Sequence, residues 1–405
     1  MTDQKKNSIK TILANDEQIY WENKGAIVPP IYQNSLFAFE SWDHIDDAFA
    51  NADKSFIYSR LHNPTSRIAE KKIAAIAGAE DAKLTASGMG AISAAILHYV
   101  NQGDHIITIK DVYGPANTFI NTFLKEKCGV ESTYVDGTSL AAFEQAIQAN
   151  TKLFYLESPA SITMQLQDLK ALVTLAKSKG INTVIDNTWA TPLFQNCIEM
   201  GIDMEVHSVS KYLCGHSDVV AGVIIGKQKD LDEILLKEHA LLGPKMAPFE
   251  AWLILRSLRT LNLRMQAHHK AGLEIAAFLE AQPNIVKVHH PGLPSFPQHK
   301  LAKSQMKGYG SLLSIELDTE DLSRIKAFVN ALKLFHLGVS WGGHESLVYA
   351  PVISYAKELP PDQFAAMGIV PGMIRLSIGL EDENDLKQDL LQALTQLDKP
   401  LAKLK

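Results

Sequence analysis

The chain has 405 residues, of which 46% are hydrophobic, and a formal net charge of −6 from 39 Lys and Arg against 45 Asp and Glu. This apolar content can build a core, which excludes global disorder, and the length predicts two or three domains. The slight negative charge offers no broad basic face, so we expect no nucleic-acid partner.

The three cysteines, Cys128, Cys197 and Cys214, are widely spaced and include no C-x-x-C pair. This pattern indicates a reducing compartment and speaks against a disulfide framework or a structural zinc site. The chain contains no apolar run of about 18 residues, and residues 1–15 lack the apolar stretch of a signal peptide. We therefore expect a cytoplasmic protein without a membrane partner.

Residues 1–60 are predicted to form an irregular arm, because Pro29 and Pro30 prevent a continuous helix and no periodicity is present. From about residue 80 onward, short β-rich segments alternate with helical ones. The candidate strands are 105–110, 132–135, 152–158, 182–187, 205–210 and 219–226, and the candidate helices are 115–127, 140–149, 167–178 and 191–200. This alternation predicts an α/β fold with a mostly parallel central sheet flanked by helices, with ligands beyond the carboxyl ends of the strands.

Pro248 begins a helical pattern that continues to about Gln282, which predicts one long helix between two domains. The last third of the chain returns to strand patterns at 285–290, 311–317 and 373–380, with helices at 320–332 and 383–397. A smaller C-terminal α/β domain is therefore expected. The predicted division is an arm of residues 1–60, a large domain of 61–255 and a C-terminal domain of 256–405.

Lys211 stands in the segment SVSKYLCGHSD, directly after a strand-like apolar run. The ordinary interpretation of a lysine is a solvated surface charge. Here Tyr212, Leu213 and Gly215 follow it, so we expect its amine to be partly desolvated at a strand end. Desolvation disfavours the charged form and makes the amine a nucleophile, as a Schiff-base lysine requires.

The segment TASGMGAISAAILHYV (85–100) predicts a glycine-flanked turn that runs into an apolar helix. The backbone N–H groups of Gly88 and Met89 would open this helix and could bind an anion, although a simple strand-to-helix turn has the same pattern. Ser208 and Ser210 precede the lysine on one face of a strand and add hydroxyl donors. Together these groups could hold a phosphate within reach of the lysine.

Asp186 ends the apolar strand of VIDNTW, where an unpaired carboxylate would be costly. One interpretation is an ion pair with a neighbouring basic residue. The functional interpretation is a salt bridge to a protonated pyridine nitrogen. A lysine, a phosphate site and a buried Asp together indicate pyridoxal 5′-phosphate (PLP) as the cofactor.

Two histidine pairs, His268-His269 and His289-His290, are the other candidate ligands in the chain. Neither pair has i, i+4 spacing or a nearby carboxylate. We therefore expect no metal site.

Over nearly its full length the chain resembles the cystathionine-metabolising, or transsulfuration, family of PLP-dependent enzymes of fold type I. Eight sequence blocks in the family's order carry the resemblance. They are YSRLHNPT (58–65), SGMGA (87–91), DVYG (111–114), LESP (156–159), DNTWATP (186–192), SVSKYLCGHSDVVAG (208–222), LRSLRTLNLRM (255–265) and SWGGHES (340–346).

The resemblance implies roles for the residues of these blocks. Lys211 would bond covalently to the cofactor and then carry protons, and Asp186 would pair with the ring nitrogen. Tyr113 would stack on the ring and assist proton transfer from the substrate amine. The phosphate would be held by Gly88, Met89, Ser208 and Ser210.

The resemblance also implies shared active sites. Tyr58 and Arg60 would reach the cofactor phosphate of a neighbouring subunit, so the N-terminal arm would complete a partner's site. An obligate dimer, paired into a homotetramer, follows from this arrangement.

Arg375 is a cation within the strand-like segment MIRLSIGL. It could form a surface pair with Glu381 or Asp382. The family reading makes it the bidentate clamp on the substrate α-carboxylate, for which the guanidinium geometry is suited.

Three local features resemble the β-lyases of the family. They are SWGG (340–343), the apolar Val339 where several γ-acting relatives carry Glu, and ESPASITM (157–164). In contrast, YSRLHNPT and GHSDVVAG are closer to the γ-acting pattern, and Ser210 replaces a more usual Thr.

The leading hypothesis is a carbon–sulfur lyase that cleaves L-cystathionine by β-elimination to homocysteine, pyruvate and ammonia. Ser340, Trp341 and Arg375 would line its substrate pocket. The alternatives are a γ-acting relative, namely cystathionine γ-synthase, cystathionine γ-lyase or methionine γ-lyase, and a PLP-binding protein without catalytic activity.

Overall fold

A seven-stranded sheet forms the centre of the computed structural model, which describes residues 7–15, 21–354 and 367–398. Its strands are β1 (Asp81–Thr85), β2 (His105–Ile109), β3 (Glu131–Val135), β4 (Thr151–Glu157), β5 (Asn182–Asp186), β6 (Met204–Ser208) and β7 (Gly222–Gly226). The spatial order is β1-β7-β6-β5-β4-β2-β3. Strand β7 is antiparallel to both of its neighbours, and the other pairs are parallel. The expectation of a mostly parallel sheet is confirmed.

A second sheet follows in the C-terminal part of the chain. Its strands are β8 (Ile285–His289), β9 (Leu312–Leu317), β10 (His336–Leu337), β11 (Leu347–Tyr349) and β12 (Met373–Ser377), in the order β10-β11-β12-β9-β8. Apart from the β10–β11 pair, neighbouring strands are antiparallel. The sequence patterns indicated β8, β9 and β12 but not the short β10 and β11.

Helices cover the sheets. They are α1 (Ile9–Ala14), α2 (Trp42–Ala50), α3 (Pro64–Ala77), α4 (Gly88–Tyr99), α5 (Gly114–Thr118), α6 (Leu140–Ala146), α7 (Leu169–Lys179), α8 (Thr191–Phe194), α9 (Cys197–Met200), α10 (Gln228–Ile234), α11 (Ala240–Leu242), α12 (Pro248–Leu258), α13 (Leu261–Glu280), α14 (His299–Gln305), α15 (Leu322–Ala331) and α16 (Glu383–Leu394). A π-helix, Phe119–Cys128, continues α5, and a second one, Leu235–His239, joins α10 to α11. Short 3₁₀ turns lie at Pro351–Ile353 and Thr395–Leu397.

The single long helix predicted from Pro248 to about Gln282 is wrong, because the structure has two helices, α12 and α13, separated at Arg259 and Thr260. The carbonyl of Ser257, near the end of α12, accepts a hydrogen bond from Arg264 Nη2 at 3.0 Å. An arginine from the next helix and the N–H of Thr260, at 3.2 Å, therefore both contact this carbonyl at the break. The sequence has no glycine or proline at this position, so it does not predict the break.

The arm predicted to be irregular over residues 1–60 includes helices α1 and α2 among its described residues. Helix α1 packs on its own chain: Leu13 is buried, and Lys72 Nζ of α3 donates to the carbonyls of Ile12 at 2.8 Å and Leu13 at 3.0 Å. A cation at a helix carboxyl end is favourable because it meets unpaired carbonyls and the negative end of the helix dipole. This part of the arm is thus ordered by its own subunit.

Within the part of the chain that the structure describes, no helix is both long and apolar enough to cross a membrane. The predicted boundary at residue 255 falls inside α12, while β1–β7 precede it and β8–β12 follow it. The domain limits remain a prediction.

Candidate active site

A cavity of about 300 Å³ lies at the carboxyl ends of strands β4, β5 and β6, where the α/β pattern predicts a ligand. Most of its wall comes from the large sheet and the helices that follow its strands, and part comes from the loop between β10 and β11. The lining residues are Ser87, Gly88, Met89, Ile92, Tyr113, Glu157, Pro159, Ser161, Asp186, Thr188, Trp189, Ser208, Ser210, Lys211, Val220, Ser340 and Trp341. Nine of the twelve residues predicted for the site are therefore brought together here.

One end of the cavity is formed by the start of helix α4. Ser87 caps the helix by accepting the N–H of Gly90 at 3.0 Å, and the N–H groups of Gly88 and Met89 have no acceptor within the helix. A Cβ atom on Gly88 would lie only 2.9 Å from Cβ of Ser208, so the helix start and the end of β6 approach too closely for a side chain. This end can hold an anion between backbone amides and serine hydroxyls.

Ser210 and Ser208 lie at the same end. Ser210 Oγ donates to the carbonyl of Ala221 at 3.3 Å and accepts its N–H at 3.0 Å. The N–H of Ser208 donates to Thr188 Oγ1 at 2.9 Å. The backbone of Ser208 is therefore fixed by Thr188, and the hydroxyl of Ser210 is itself held by the backbone of Ala221.

Asp186 ends β5 and is almost fully buried. The N–H of Thr188 and its hydroxyl both donate to Asp186 Oδ1, at 2.9 and 2.5 Å. Burial raises the pKa of this carboxyl, while the two bonds from Thr188 and the nearby His207 and Lys211 oppose the rise. Among the described residues no hydrogen-bond donor contacts Oδ2, which leaves one oxygen of a cavity-lining carboxylate for a cationic ligand group.

Lys211 follows β6 by three residues and projects into the cavity opposite the helix start. Burial and, to a smaller extent, the positive charge of Arg375 lower the pKa of its amine to about 8, while Asp186 acts in the opposite direction. Its Nζ donates to Ser340 Oγ and lies 5.8 Å from the centre of the Trp341 ring. The expected desolvation is thus present, and the amine is a better nucleophile than a surface lysine.

Tyr113 precedes helix α5 and lines the cavity. Its N–H donates to Glu157 Oε2 at 2.7 Å, and burial, reinforced by Asp186 and Glu157, raises the pKa of its phenol. Glu157 is buried at the end of β4, beside Asp186 in the register of the two strands. Two carboxyls therefore face the same cavity.

The loop between β10 and β11 closes the other side. Ser340 has a left-handed backbone, with φ of 89°. Trp341 is buried and packs edge-on against Tyr212, with ring centres 5.4 Å apart. This loop meets Lys211 across the cavity.

Arg375 lies on β12 and is not part of the cavity lining. Its guanidinium donates to the carbonyl of Ser340 at 3.4 Å, and its Cζ lies 5.0 Å from the ring centre of Tyr349, its cross-strand neighbour on β11. Glu381 accepts from Ser346 instead, and Asp382 caps α16. The guanidinium is held next to the loop that carries Ser340.

Tyr58 and Arg60 lie outside the cavity of their own chain. Arg60 donates to the carbonyl of Ala240, and its Cζ lies 6.0 Å from the Tyr58 ring. Their assignment to a neighbour's site remains a prediction. The described residues include no group of three His, Cys, Asp or Glu side chains arranged for a metal.

The residues that contact this site but were not singled out from the sequence include Thr188, Glu157 and Tyr349. Thr188 lies two residues after Asp186 in the block DNTWATP. An Asp side chain commonly accepts the N–H of the residue two positions later, so this contact is a local one. The contacts of the other two depend on strand pairing, which the sequence does not give.

The donor set fits PLP. The start of α4, which has no room for a Cβ atom, suits a phosphate. The Asp186 oxygen that no described donor contacts suits a protonated pyridine nitrogen. The desolvated amine of Lys211 suits a covalent bond to an aldehyde. Lys211, Asp186 and the start of α4 all line one cavity.

Comparisons with known proteins agree with this chemistry. A family model described as Cys/Met metabolism PLP-dependent enzyme matches residues 10–395. An L-methionine gamma-lyase of Porphyromonas gingivalis is 40% identical over 375 residues, covering 92% of this chain and 94% of that protein. A cystathionine beta-lyase of Coxiella burnetii is 38% identical over 371 residues, covering 91% and 93%. The crystal structure of cystathionine gamma-lyase from Lactobacillus plantarum complexed with L-serine superposes with a TM-score of 0.89 at 34% identity, covering 97% of this chain and 100% of that one.

Proposed function

Because the chain belongs to the PLP-dependent enzymes of Cys/Met metabolism, we propose that it is a carbon–sulfur lyase that cleaves L-cystathionine by β-elimination to homocysteine, pyruvate and ammonia. When bound, PLP supplies the electron sink for negative charge at the substrate Cα. The amino-acid residues of the cavity then have to hold the cofactor, orient the substrate and move protons.

The cofactor would be held from three sides. The start of α4 at Gly88 and Met89, with Ser208 and Ser210, would bind the phosphate, and Asp186 Oδ2 would receive the protonated ring nitrogen. Thr188 fixes the orientation of Asp186 through its two bonds to the other oxygen.

Lys211 is the proposed covalent anchor and proton carrier. Its lowered pKa makes a neutral amine accessible near neutral pH, which a base at the substrate Cα requires. Tyr113 would stack on the cofactor ring and take part in proton transfer from the substrate amine. Arg375, steadied by Tyr349 and the Ser340 carbonyl, would bind the substrate carboxylate.

The position of Lys211 between Ser340 and Trp341 is the observation that supports β-elimination. The Nζ donates to the Ser340 hydroxyl and lies beside the buried indole of Trp341. β-Elimination needs one proton to be removed, at Cα, whereas γ-chemistry needs a second removal at Cβ. Ser340 and Trp341 belong to SWGG (340–343), one of the local features that resemble the β-lyases, so their contacts with Lys211 support the reaction with a single proton removal.

The second candidate is γ-elimination, with L-methionine as a substrate. It is favoured by the relatives named L-methionine gamma-lyase, which are as similar to the chain as the relative named cystathionine beta-lyase. The two candidates share Lys211, Asp186 and Arg375 and differ in the carbon at which the leaving group departs.

We also propose a homotetramer built from dimers with shared sites, working in the cytoplasm on sulfur amino acids. Large apolar side chains of the N-terminal segment are exposed on the single chain: Trp21, Ile27, Leu36, Trp42 and Phe49. Burial of such a surface against a second subunit would remove it from water and bring Tyr58 and Arg60 to the partner's cofactor. The three free cysteines suit a reducing compartment.

Identification of the keto acid tests the reaction. The purified protein is incubated with L-cystathionine and, separately, with L-methionine, and the keto acid is identified by mass spectrometry. Pyruvate is expected from cystathionine. If 2-oxobutyrate is the main product, β-elimination is refuted and γ-elimination is supported. The Lys211→Ala variant is the control, and full turnover by this variant would refute the PLP assignment.

A further inference from the structure

Glu157 is a second buried carboxyl in the wall of the cavity, next to Asp186. It ends β4, is only 4% exposed, and pairs in register with Asp186 at the end of β5. Burial and the nearby Asp186 raise the pKa of Glu157 to about 8, Asp111 contributes in the same direction, and two backbone hydrogen bonds oppose the rise. A carboxyl that only filled space here would be costly, because an apolar side chain would avoid the desolvation.

The contacts of Glu157 join two segments that line the cavity. Its Oε2 accepts the N–H of Tyr113 at 2.7 Å, and its Oε1 accepts the N–H of Ser161 at 2.8 Å. The first segment follows β2 and the second follows β4. The two oxygens of one side chain therefore hold two loops that lie far apart in the sequence.

We propose that Glu157 is a positioning residue of the active site, which holds Tyr113 in place over the cofactor by bracing the backbone that carries it. The inference rests on the proposed role of Tyr113 and not on the choice between β- and γ-elimination. Glu157 does not need to touch the substrate. It bonds to the backbone N–H of Tyr113, and the position of this backbone sets the position of the Tyr113 ring.

A double-mutant cycle tests this coupling. Glu157→Gln keeps the length of the side chain but replaces one carboxyl oxygen by an NH2 group, which cannot accept a hydrogen bond from a backbone N–H. Tyr113→Phe removes the phenol, and the double variant combines both changes. Glu144→Gln, on the exposed side of α6, makes the same chemical change away from the cavity and is the control. Turnover of L-cystathionine or L-methionine and the visible circular dichroism of the bound cofactor are measured for each variant.

Glu157→Gln is expected to lower kcat on the order of tenfold, the effect of leaving one buried backbone N–H without its acceptor, with KM changed by less than about twofold. It should also weaken the visible dichroism, since that signal depends on the ring environment. In the Tyr113→Phe background the same substitution should lower kcat by less than about twofold, because Glu157 acts through Tyr113.

An equal loss of kcat in both backgrounds would overturn the proposal, as would wild-type kcat and dichroism in Glu157→Gln. If Glu157→Gln does not fold, the same cycle is measured with Glu157→Asp, which keeps the carboxyl group but is too short to reach both amides, and the same criterion applies. A wild-type protein without lyase turnover on either amino acid would contradict the proposed function, while the dichroism of the bound cofactor would still decide the role of Glu157.

Discussion

Replacement of Thr188 by Val should weaken cofactor binding although the side chain keeps its shape. The Thr188 hydroxyl donates to Asp186 Oδ1 and accepts the N–H of Ser208 at 2.9 Å. The first bond supports the ionised form of Asp186, which is the form proposed to pair with the ring nitrogen, and a hydrogen bond to a charged group contributes about 2 kcal/mol. Since about 1.4 kcal/mol corresponds to a tenfold change, the dissociation constant for PLP should rise about 30-fold.

The second bond predicts a separate effect. Without the hydroxyl, the N–H of Ser208 loses its acceptor whether or not the cofactor is bound, which should lower the free energy of unfolding of the apoprotein by about 1–3 kcal/mol. Loss of one donor should also raise the pKa of Asp186 further above its usual range. The affinity gap between wild type and Thr188→Val should therefore widen as the pH falls.

Titration of the apoprotein with PLP, followed by visible absorbance at several pH values, measures these constants. Thr174→Val, an exposed position on α7 whose hydroxyl donates to the carbonyl of Lys170, is the matched control and should bind as the wild type does. A Thr188→Val protein that binds PLP within about twofold of the wild type would refute the reasoning that Asp186 needs this donor.

Three other changes test separate parts of the structure. Because burial lowers the pKa of Lys211 to about 8, its unfolded state binds more protons from about pH 8 to 10.5, so the apoprotein should gain stability over that range relative to Lys211→Met. Urea denaturation at each pH measures this difference, and a constant difference would contradict it. Leu13→Ala should lower the free energy of unfolding by about 2–4 kcal/mol, and a loss near zero would show that α1 does not pack on its own chain. Tyr349→Leu should raise the KM of the amino-acid substrate about 2- to 30-fold by removing the ring from Arg375, whereas Tyr349→Phe, which keeps the ring, should leave KM nearly unchanged. Equal KM values in both Tyr349 variants would argue against a contribution from the ring.

The family, the α/β fold class and the PLP cofactor were predicted from the sequence and are confirmed. Local motifs carried these predictions. Lys211, Asp186 and Gly88 each stand at the end of an apolar strand or at the start of a helix, and such positions can be read from neighbouring residues. The structure brings them to one cavity because parallel strands end at the same edge of a sheet.

The missed features depend on contacts between distant parts of the chain. Glu157 meets Tyr113 only because β2 and β4 are neighbours in the sheet, and Tyr349 meets Arg375 only through the register of β11 and β12. The break between α12 and α13 is supported by Arg264, and helix α1 is anchored by Lys72. Helix propensity and apolar periodicity contain none of this information.

The walls of the cavity come from parts of the chain that are synthesised at different times. Strands β1–β7, which carry the groups proposed for the phosphate and the ring nitrogen, leave the ribosome before the loop that contains Ser340 and Trp341. A nascent chain that ends at α13 would already contain Lys211 and Asp186, and it would still lack Ser340 and Trp341. The groups proposed for the cofactor are therefore synthesised before those proposed for the substrate, and Lys211 meets Ser340 and Trp341 only after the second part of the chain has been made.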